Sequence, residues 1–330
     1  HVPLFTAWLK EVLDGGTRGW AAAGYGLFAG VNVPSKVFGE LVEHACHTPR
    51  VTVQDLARMQ AAGENLVVLD GRPLAEYEKM NIPGGICCPN GELPYRVTSI
   101  VRSPNTRIVV NCAGRTRSII GAQTLINFGI ANPVAALENG TQGWVLAGLD
   151  LERGAARKYP DAIDAASLPA LQATARTLME RFKIQRASAT DVQAWLRDTG
   201  RTTYLCDVRT PEEFAAASIP GSVHAPGGQL IQATDQWIGV RNARVVLIDG
   251  GENVRAPVVA SWLKQLGCDV FVLEGGAGCG LRGSTSPRPA LPELPGMSTS
   301  ELKDAVATGR YAVFDLGTSD AEVTSQPFRQ

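Results

Sequence analysis

One cysteine ends a strongly apolar run in the stretch VVNCAGRTRSIIG, residues 109–121. Cys112 follows β-branched residues typical of a buried strand, and a helix is predicted over Ser118–Phe128. The loop between them would therefore aim backbone N–H groups, and the positive end of that helix, at the sulfur. Such a setting stabilises a thiolate and holds an anion beside it. We expect Cys112 to be a nucleophile, and Arg115 and Arg117 to attract an oxyanion such as a sulfonate or a phosphate.

The segments that must position this loop occur twice in the chain. The sequence VVLDGRPLAEYEKMNIPGGI, residues 67–86, is matched further along by YLCDVRTPEEFAAASIPGSV, residues 204–223. The positions matched at this one constant offset are Asp70 and Asp207, Arg72 and Arg209, and Glu76 and Glu213. A third copy begins in AVFDLGTSDAE, residues 312–322, where Gly317 replaces the arginine. The chain is therefore a tandem repeat.

Helix and strand signals surround each copy. An [ST]-x-x-[DE] pattern, whose hydroxyl can cap the free N–H groups of a helix, begins at Thr52, Ser188 and Ser298. Short β-branched runs alternate with helical segments, and these runs are residues 66–69, 108–110 and 135–137. The alternation predicts an α/β fold of repeated domains, each a small parallel β-sheet with helices on both faces.

The loop of the second copy carries an acid in place of the cysteine. Asp249 follows Asp207 at the same interval at which Cys112 follows Asp70. Both residues should then lie at the carboxyl end of a parallel strand, where open α/β sheets bind their ligands. A carboxylate at that point repels an anionic substrate. We expect the second copy to be inactive, with Arg255 forming a salt bridge to Asp249.

The repeats divide the chain into six segments. They are a C-terminal remnant of a first domain (1–33), a domain that carries the Cys112 loop (34–155, the first repeat), a linker with a helix at Leu168–Phe182 (156–186), a domain that carries Asp249 (187–284, the second repeat), a Pro-rich linker (285–296) and the start of a further domain (297–330). The second repeat is expected to lack activity, whereas Gly317 in place of the arginine leaves the activity of the last, incomplete domain open.

Both ends of the sequence have the character of fragments. The pattern VLDGGTRGWAAAGY, residues 12–25, repeats the end of the first repeat. Four residues lie between Trp8 and Leu13, whereas the second repeat has ten residues at the same place. Four residues are too few for the chain to end a helix, turn back and begin a strand. We therefore expect residues to be missing near positions 11–12. The tail at 322–330 lacks the expected Ile-Pro-Gly.

Composition and charge disfavour several classes of function. The chain has 31 basic and 32 acidic residues, a formal net charge of −1, and so no global field for nucleic acid or an anionic membrane. No apolar run approaches the length of about 20 residues that a membrane-spanning helix needs. We expect a cytoplasmic protein with neither a nucleic-acid nor a membrane partner.

The seven cysteines do not form a disulfide framework, because their number is odd and their positions are scattered. Residues 44–47, HACH, have no second ligand cluster with which to close a tetrahedral metal site, so an amphipathic helix end is the simpler interpretation. Cys87 and Cys88 are expected to fill a strand edge, and Cys206 and Cys268 to lie in the core. We predict no metal and no cofactor.

The chain combines four features: Asp-x-Arg, Ile-Pro-Gly, a cysteine loop, and Leu-Glu-Asn-Gly before Gly-Trp. In this combination it resembles the rhodanese (sulfurtransferase) family in a tandem arrangement. The resemblance implies that Cys112 takes up a sulfane sulfur as a persulfide. Asp70 and Arg72 match the family's framework pair and would hold the base of the loop. The residues implied to bind the donor, through loop N–H groups or charge, are Ala113, Gly114, Arg115, Thr116, Arg117 and Ser118.

The reaction that the resemblance implies is a double displacement that needs no metal or organic cofactor. An anionic donor gives its outer sulfur to Cys112, and the persulfide passes it to cyanide or to a thiol. Thiosulfate is favoured over 3-mercaptopyruvate, because Arg115 and Arg117 replace the smaller, less charged residues associated with mercaptopyruvate enzymes.

Two other functions stay open at this point. A related phosphatase or arsenate reductase uses a Cys-x5-Arg loop, but Arg117 follows Cys112 by five positions, so the ring is one residue short for phosphate. Alternatively, the repeats form a non-catalytic binding or scaffold protein in which Cys112 is vestigial. The sequence does not specify the oligomeric state.

Overall fold

The computed structural model describes residues 22–24, 32–283 and 296–308. The chain divides into two compact units, residues 1–285 and residues 286–330. The larger unit holds both repeats and the candidate site.

The smaller unit is described over one helix, Thr299–Ala307, which begins at the predicted signal. Ser298 accepts a hydrogen bond from the backbone of Glu301, whose side chain bonds back to the cap. Other predictions fall outside the described residues: most of the remnant at 1–33, the gap near residues 11–12, most of the Pro-rich linker, and the strand and tail of the third copy.

The first repeat forms one five-stranded sheet with helices between the strands. Its elements are α1 (Val33–Cys46), β1 (Arg50–Val51), α2 (Val53–Ala61), β2 (Leu66–Asp70), α3 (Leu74–Lys79), β3 (Ile86–Cys87), α4 (Leu93–Ile100), β4 (Arg107–Asn111), α5 (Thr116–Asn127), β5 (Val134–Leu137) and α6 (Gly140–Leu146). The predicted strands and the predicted helix after Cys112 are confirmed, with α5 beginning two residues earlier than expected.

A linker helix and a second five-stranded sheet follow. The elements are α7 (Leu168–Phe182), β6 (Gln185–Ala187), α8 (Ala189–Arg197), β7 (Thr203–Asp207), α9 (Pro211–Ala216), β8 (Val223–His224), α10 (Gly227–Gln232), α11 (Thr234–Trp237), β9 (Arg244–Ile248), α12 (Arg255–Gln265), β10 (Asp269–Leu273) and a 3-10 turn at Gly276–Gly278. The helix predicted at Leu168–Phe182 is confirmed.

The two sheets have the same topology. The strand order is β1-β5-β4-β2-β3 in the first and β6-β10-β9-β7-β8 in the second, and all pairs are parallel. Asp70 pairs with Asn111, and Asp207 pairs with Ile248, so Cys112 and Asp249 follow the two central strands at equivalent places. The predicted α/β fold of repeated parallel sheets is confirmed.

Alternate residues of the central strand β4 face two different cores. Val109 packs in a cluster with Leu56 of α2 and Trp144 of α6. Ile108 and Val110 belong to a larger cluster that extends into the second repeat. Helices therefore cover both faces of the sheet, and one apolar core is shared by the repeats.

The repeats meet at equivalent residues, which gives the pair an approximate two-fold relation. Gly91 and Gly228 occupy matching positions and contact each other: a Cβ added to Gly91 would lie 2.8 Å from the backbone nitrogen of Gly228. Trp262 of α12 donates a buried hydrogen bond of 2.8 Å to the hydroxyl of Thr124 on α5. Backbone contact at the axis thus requires the absence of a side chain.

The edge strand β3 is covered by the chain that leaves the first repeat. The Cys87 N–H donates to the carbonyl oxygen of Arg157 at 2.9 Å, and the Tyr159 N–H donates to the carbonyl oxygen of Cys87 at 3.0 Å. Exposed sheet edges favour unwanted pairing, so this cover protects the first repeat. The N-terminal part of the predicted linker (156–186) therefore extends the sheet.

We predict that Gly91→Ala lowers the free energy of unfolding by about 1–3 kcal/mol, because overpacking at the axis forces the backbones apart. Urea denaturation measures the effect. Gly251→Ala is the matched control, since a Cβ there meets no atom within 4 Å and the backbone is not left-handed. Equal stability of the two variants would contradict the close contact at the axis.

Candidate active site

Cys112 follows the last residue of β4 at the carboxyl edge of the sheet, with its side chain 2% exposed. The start of α6 clamps the backbone at the base of the loop: the Thr141 N–H donates to the Cys112 carbonyl oxygen at 2.9 Å, and the Gln142 N–H donates to the Ala113 carbonyl oxygen at 3.0 Å. Gly140 has φ +51, and a Cβ there would overlap the Cys112 carbonyl oxygen. Only glycine therefore fits at that position.

The sulfur faces the hydroxyl of Ser118 in the first turn of α5. The Cys112 thiol donates to Ser118 Oγ across 3.6 Å. The same hydroxyl lies 2.7 Å from the carbonyl oxygen of Arg115 and 3.1 Å from that of Leu137, and both oxygens can accept a hydrogen bond from it. Ser118 thus ties the loop to the neighbouring strand β5 beneath the sulfur.

The loop N–H groups form the polar lining of the site. The backbone N–H groups of Thr116, Arg117 and Ser118 lie in the first turn of α5, where N–H groups have no partner within the helix and Arg115 supplies no side-chain cap. They surround the end of β4 and the start of α5, where the helix dipole also favours negative charge. We refer to residues 112–118 as the Cys112 loop and to residues 249–256 as the Asp249 loop.

The Asp249 loop holds an anion of its own. The Asp249 carboxylate accepts hydrogen bonds from the backbone N–H groups of Gly250 at 2.7 Å, Arg255 at 2.8 Å and Ala256 at 3.0 Å. The Arg255 side chain adds a bond of 2.9 Å, so the predicted salt bridge is confirmed. The second repeat shows that this strand-loop-helix geometry collects N–H donors around one negative group.

The Asp249 loop is longer than the Cys112 loop by a single position. α5 and α12 are each followed by a glycine with positive φ, Gly129 and Gly267, which mark equivalent helix ends. Arg117 precedes Gly129 by as many positions as Arg255 precedes Gly267, so the two arginines correspond. The structural partners agree, because the repeated acids Glu76 and Glu213 bind these two arginines.

Arg117 is largely buried, with 13% of its side chain exposed, and Glu76 of α3 holds it through two hydrogen bonds of 2.8 Å. Burial acts to lower the pKa of Arg117 and to raise that of Glu76. The paired hydrogen bonds and opposite charges outweigh burial, so the pKa of Arg117 is raised and that of Glu76 is lowered. The Cys112 sulfur is near enough to contribute to the raised pKa of Arg117.

Arg115 is more open, with 35% of its side chain exposed, and pairs with two acids of α1. Its Nε lies 2.9 Å from a carboxylate oxygen of Glu40, and Nη2 contacts Glu43. Both arginines that the sequence singled out therefore lie in the loop, but each is engaged by a carboxylate. The sequence showed Glu76 as a repeated position and gave no signal for the two acids of α1.

Asp70 and Arg72 form a buried ion pair below the loop. Arg72 donates to both carboxylate oxygens, at 2.8 and 2.7 Å, and to the carbonyl oxygen of Met80 at 2.6 Å. Asn111, which precedes Cys112, donates to Asp70 at 2.7 Å. The pair is thus connected to the base of the loop, and Asp207 with Arg209 repeats it.

The other buried thiols are parts of the core. Burial raises the pKa of Cys87 and of Cys206 to about 12, and that of Cys88 well above its ordinary range. Cys268 is partly buried against the shared core, as predicted. Cys46 ends α1 and is exposed, in agreement with the helix end predicted for HACH.

No group of three or more His, Cys, Asp or Glu side chains in residues 32–283 and 296–308 is arranged to hold a metal ion. Over the same residues, no helix has both the length and the apolar character needed to cross a membrane.

Comparison with known protein families matches both repeats to the same kind of domain. A model described as the rhodanese-like domain matches residues 52–147 and 188–277, which together exceed half of the chain. The chain belongs to the rhodanese family. Both matches begin at a helix cap, Thr52 or Ser188, and both include the loop after the central strand.

Individual proteins are similar to part or to most of this chain. The crystal structure of thiosulfate sulfurtransferase from Pseudomonas aeruginosa is 47% identical in sequence, with a TM-score of 0.79 over 89% of this chain and 56% of that chain. A putative sulfur carrier protein of Bacillus subtilis is 31% identical over 83 residues, 25% of this chain and 44% of its own length. An HTH-type transcriptional regulator of Mycobacterium tuberculosis is 32% identical over 105 residues, 32% of this chain and 45% of its own length. The chain thus spans about half the length of these relatives.

Glu213 offers a pH test of the ion pairs in the Asp249 loop. Burial acts to raise the pKa of Glu213, but hydrogen bonds and charge from Arg255 outweigh it and lower the pKa from 4.5 to about 2. The folded pKa is depressed, so the stabilisation is present above pH 4.5 and is lost as pH falls toward 2. We predict that Glu213→Gln lowers the free energy of unfolding at pH 7 by about 2 kcal/mol, after allowance for partial exposure.

Urea denaturation at pH 7, 5 and 3 measures this difference, which should shrink at pH 3. Glu212→Gln is the control: its exposed side chain precedes Glu213 on α9, and its loss should change the free energy of unfolding by less than about 0.5 kcal/mol. A Glu213→Gln effect of constant size at all three pH values would contradict the coupling to Arg255.

Proposed function

We propose that this protein is a sulfurtransferase, in which Cys112 carries a sulfane sulfur from an anionic donor to an acceptor. The observation that supports it best is the pair of loops: Asp249 shows that the geometry binds an anion through backbone N–H groups, and the Cys112 loop presents a thiol at the same place. Membership of the rhodanese family and the similarity to a thiosulfate sulfurtransferase agree with this chemistry.

Thiosulfate is the donor that we favour, and the reaction proceeds in two displacements. The Cys112 thiolate attacks the outer sulfur of thiosulfate, the sulfur–sulfur bond breaks, and sulfite leaves with the electron pair. The outer sulfur of the resulting persulfide is then attacked by cyanide or by a thiolate. Thiocyanate or a new persulfide forms, and the Cys112 thiolate is restored. These steps need no cofactor.

The loop donors have a defined part in both displacements. The N–H groups of Ala113, Arg117 and Ser118 correspond to those that hold the Asp249 carboxylate, so they would hold the persulfide sulfur or an oxygen of the donor. Fixed donors of this kind stabilise negative charge without reorganisation. Gly114 and Thr116 complete the ring, and the Asp70–Arg72 pair supports its base.

The two arginines would act differently. Arg117 is buried against Glu76, so its charge acts on the thiolate from a fixed position. Arg115 is paired with Glu40, whose side chain is 54% exposed, and surface ion pairs of this kind are weak. Arg115 can therefore exchange a carboxylate for the sulfonate end of the donor.

Phosphate chemistry fits this loop less well. Arg117 is the fifth residue after Cys112, and its guanidinium turns away to Glu76 rather than closing a ring around a tetrahedral anion. A binding protein without catalysis is the remaining alternative, and the uptake of sulfur distinguishes it.

We predict that thiosulfate adds the mass of one sulfur atom to the wild-type protein and none to Cys112→Ser, as measured by intact mass spectrometry. The matched control is Cys46→Ser, which removes an exposed thiol and should still gain the sulfur. A wild-type protein that gains nothing would rule out the sulfurtransferase and leave the binding protein.

Arg115 should set the affinity for the donor. We predict that Arg115→Ala raises KM for thiosulfate by about tenfold with a smaller change in kcat, because a charge-assisted hydrogen bond to the donor is lost. Steady-state kinetics with thiosulfate and cyanide give both constants. Glu40→Gln frees Arg115 from a competing carboxylate, so its KM should be lower than that of the wild type; a raised KM there would contradict the exchange.

A further inference from the structure

Each repeat extends one side chain across the approximate two-fold axis to the loop arginine of the other repeat. Glu92 and Gln229 occupy matching positions, related by the same offset as Asp70 and Asp207, and lie beside the glycine contact. Glu92 Oε1 lies 3.1 Å from Nη1 of Arg255 in the other repeat. Gln229 Oε1 accepts from Nη1 of Arg117 across 3.4 Å. Each loop arginine is therefore contacted by the opposite repeat.

The charge around the two arginines is very different. Arg255 contacts three carboxylates, Asp249 at 2.9 Å, Glu213 at 2.6 Å and Glu92 at 3.1 Å. At the places equivalent to these acids, Arg117 has the thiol Cys112, the carboxylate Glu76 and the neutral amide Gln229. Arg255 therefore has three carboxylate partners within the protein, whereas Arg117 has one, Glu76.

We propose that Gln229 is a positioning residue that the second repeat supplies to the Cys112 loop. Its amide steadies the Arg117 guanidinium without adding a second negative charge beside Glu76, so the positive charge still acts on the thiolate and on an anionic donor in the loop. The inactive repeat thereby takes part in sulfur transfer through the opposite loop.

A carboxylate at position 229 would reverse this effect. An acid at about 3.4 Å from the guanidinium would compete with the thiolate and the donor for the same charge, and charges at this separation interact strongly where water is partly excluded. Gln229 lies on α10 and is half-buried, so water screens it only in part.

The charged groups around the thiol come from four places. The Cys112 loop contributes Arg115 and Arg117, the end of β2 contributes the Asp70–Arg72 pair, α3 contributes Glu76, and α1 contributes Glu40 and Glu43. A substitution at Gln229 alters none of these groups, so the test changes one charge only.

The test combines the titration of Cys112 with kinetics, and it rests on the proposed function only in its second half. The rate of Cys112 alkylation by iodoacetamide is measured against pH, and kcat/KM is measured with thiosulfate and cyanide. We expect Gln229→Glu to move the alkylation midpoint to higher pH and to lower kcat/KM by about tenfold, mainly through KM. Gln229→Lys should move the midpoint to lower pH.

Opposite shifts distinguish a charge effect from a loss of packing, since damage to the loop would move both variants the same way. Gln236→Glu is the matched control, because it places the same charge on the exposed side of the neighbouring helix α11 and should leave the midpoint unchanged. If Gln229→Glu does not fold, the direction in which Gln229→Lys shifts the alkylation midpoint decides the proposal. An unchanged midpoint, or shifts in one direction, overturns the proposal.

The two proposals fail separately. If the wild type takes up no sulfur, the sulfurtransferase proposal fails while the alkylation midpoints still test Gln229. If sulfur is taken up and the midpoints do not move, Gln229 has no electrostatic part in the site.

Discussion

Backbone N–H groups gathered beyond a central parallel strand need a hydrogen-bond partner, and both repeats are organised around that requirement. In the second repeat the partner is built into the chain as the Asp249 carboxylate. In the first repeat the same geometry surrounds a thiol, while Gly140, Ser118 and Asn111 hold the loop from below. Buried N–H groups without acceptors are costly, and in the proposed function the sulfur and the donor supply the acceptors in the first repeat.

The shared core joins the two repeats within one compact unit. α5 and α12 meet across the axis through Thr124 and Trp262, and the apolar cluster on that side of the sheets contains residues of both repeats. A loop that binds its own carboxylate is complete without ligand, so the second repeat offers a fixed surface against which the Cys112 loop is assembled. Rigid support of this kind is what a site built on a loop requires.

The fold was largely predictable from the sequence because its determinants are local or repeated. Buried parallel strands produce continuous apolar runs, and the caps at Thr52 and Ser188 depend on residues three positions apart. The start of α5 was two residues off, since Arg115 precedes it without a side-chain cap. A helix that begins inside a functional loop carries no sequence signal for its first residue.

The candidate site was predictable only where the repeat register applies. The register located Cys112, Asp249 and the salt bridge to Arg255, because equivalent positions in two sheets share one place in space. It could not reveal that Glu40 holds Arg115, or that Gln229 reaches Arg117 across the axis. Such partners depend on how helices pack, and spacing along the chain contains no information about that.

The extra residue in the Asp249 loop has a consequence for the history of the duplication. Arg255 follows Asp249 by six positions, whereas Arg117 follows Cys112 by five. Substitution of Asp249 by cysteine would place a thiol in the second repeat but would leave it in a wider ring, with Arg255 still paired with Glu92 and Glu213. The halves differ in ring size as well as in chemistry, and a single substitution would not make them alike.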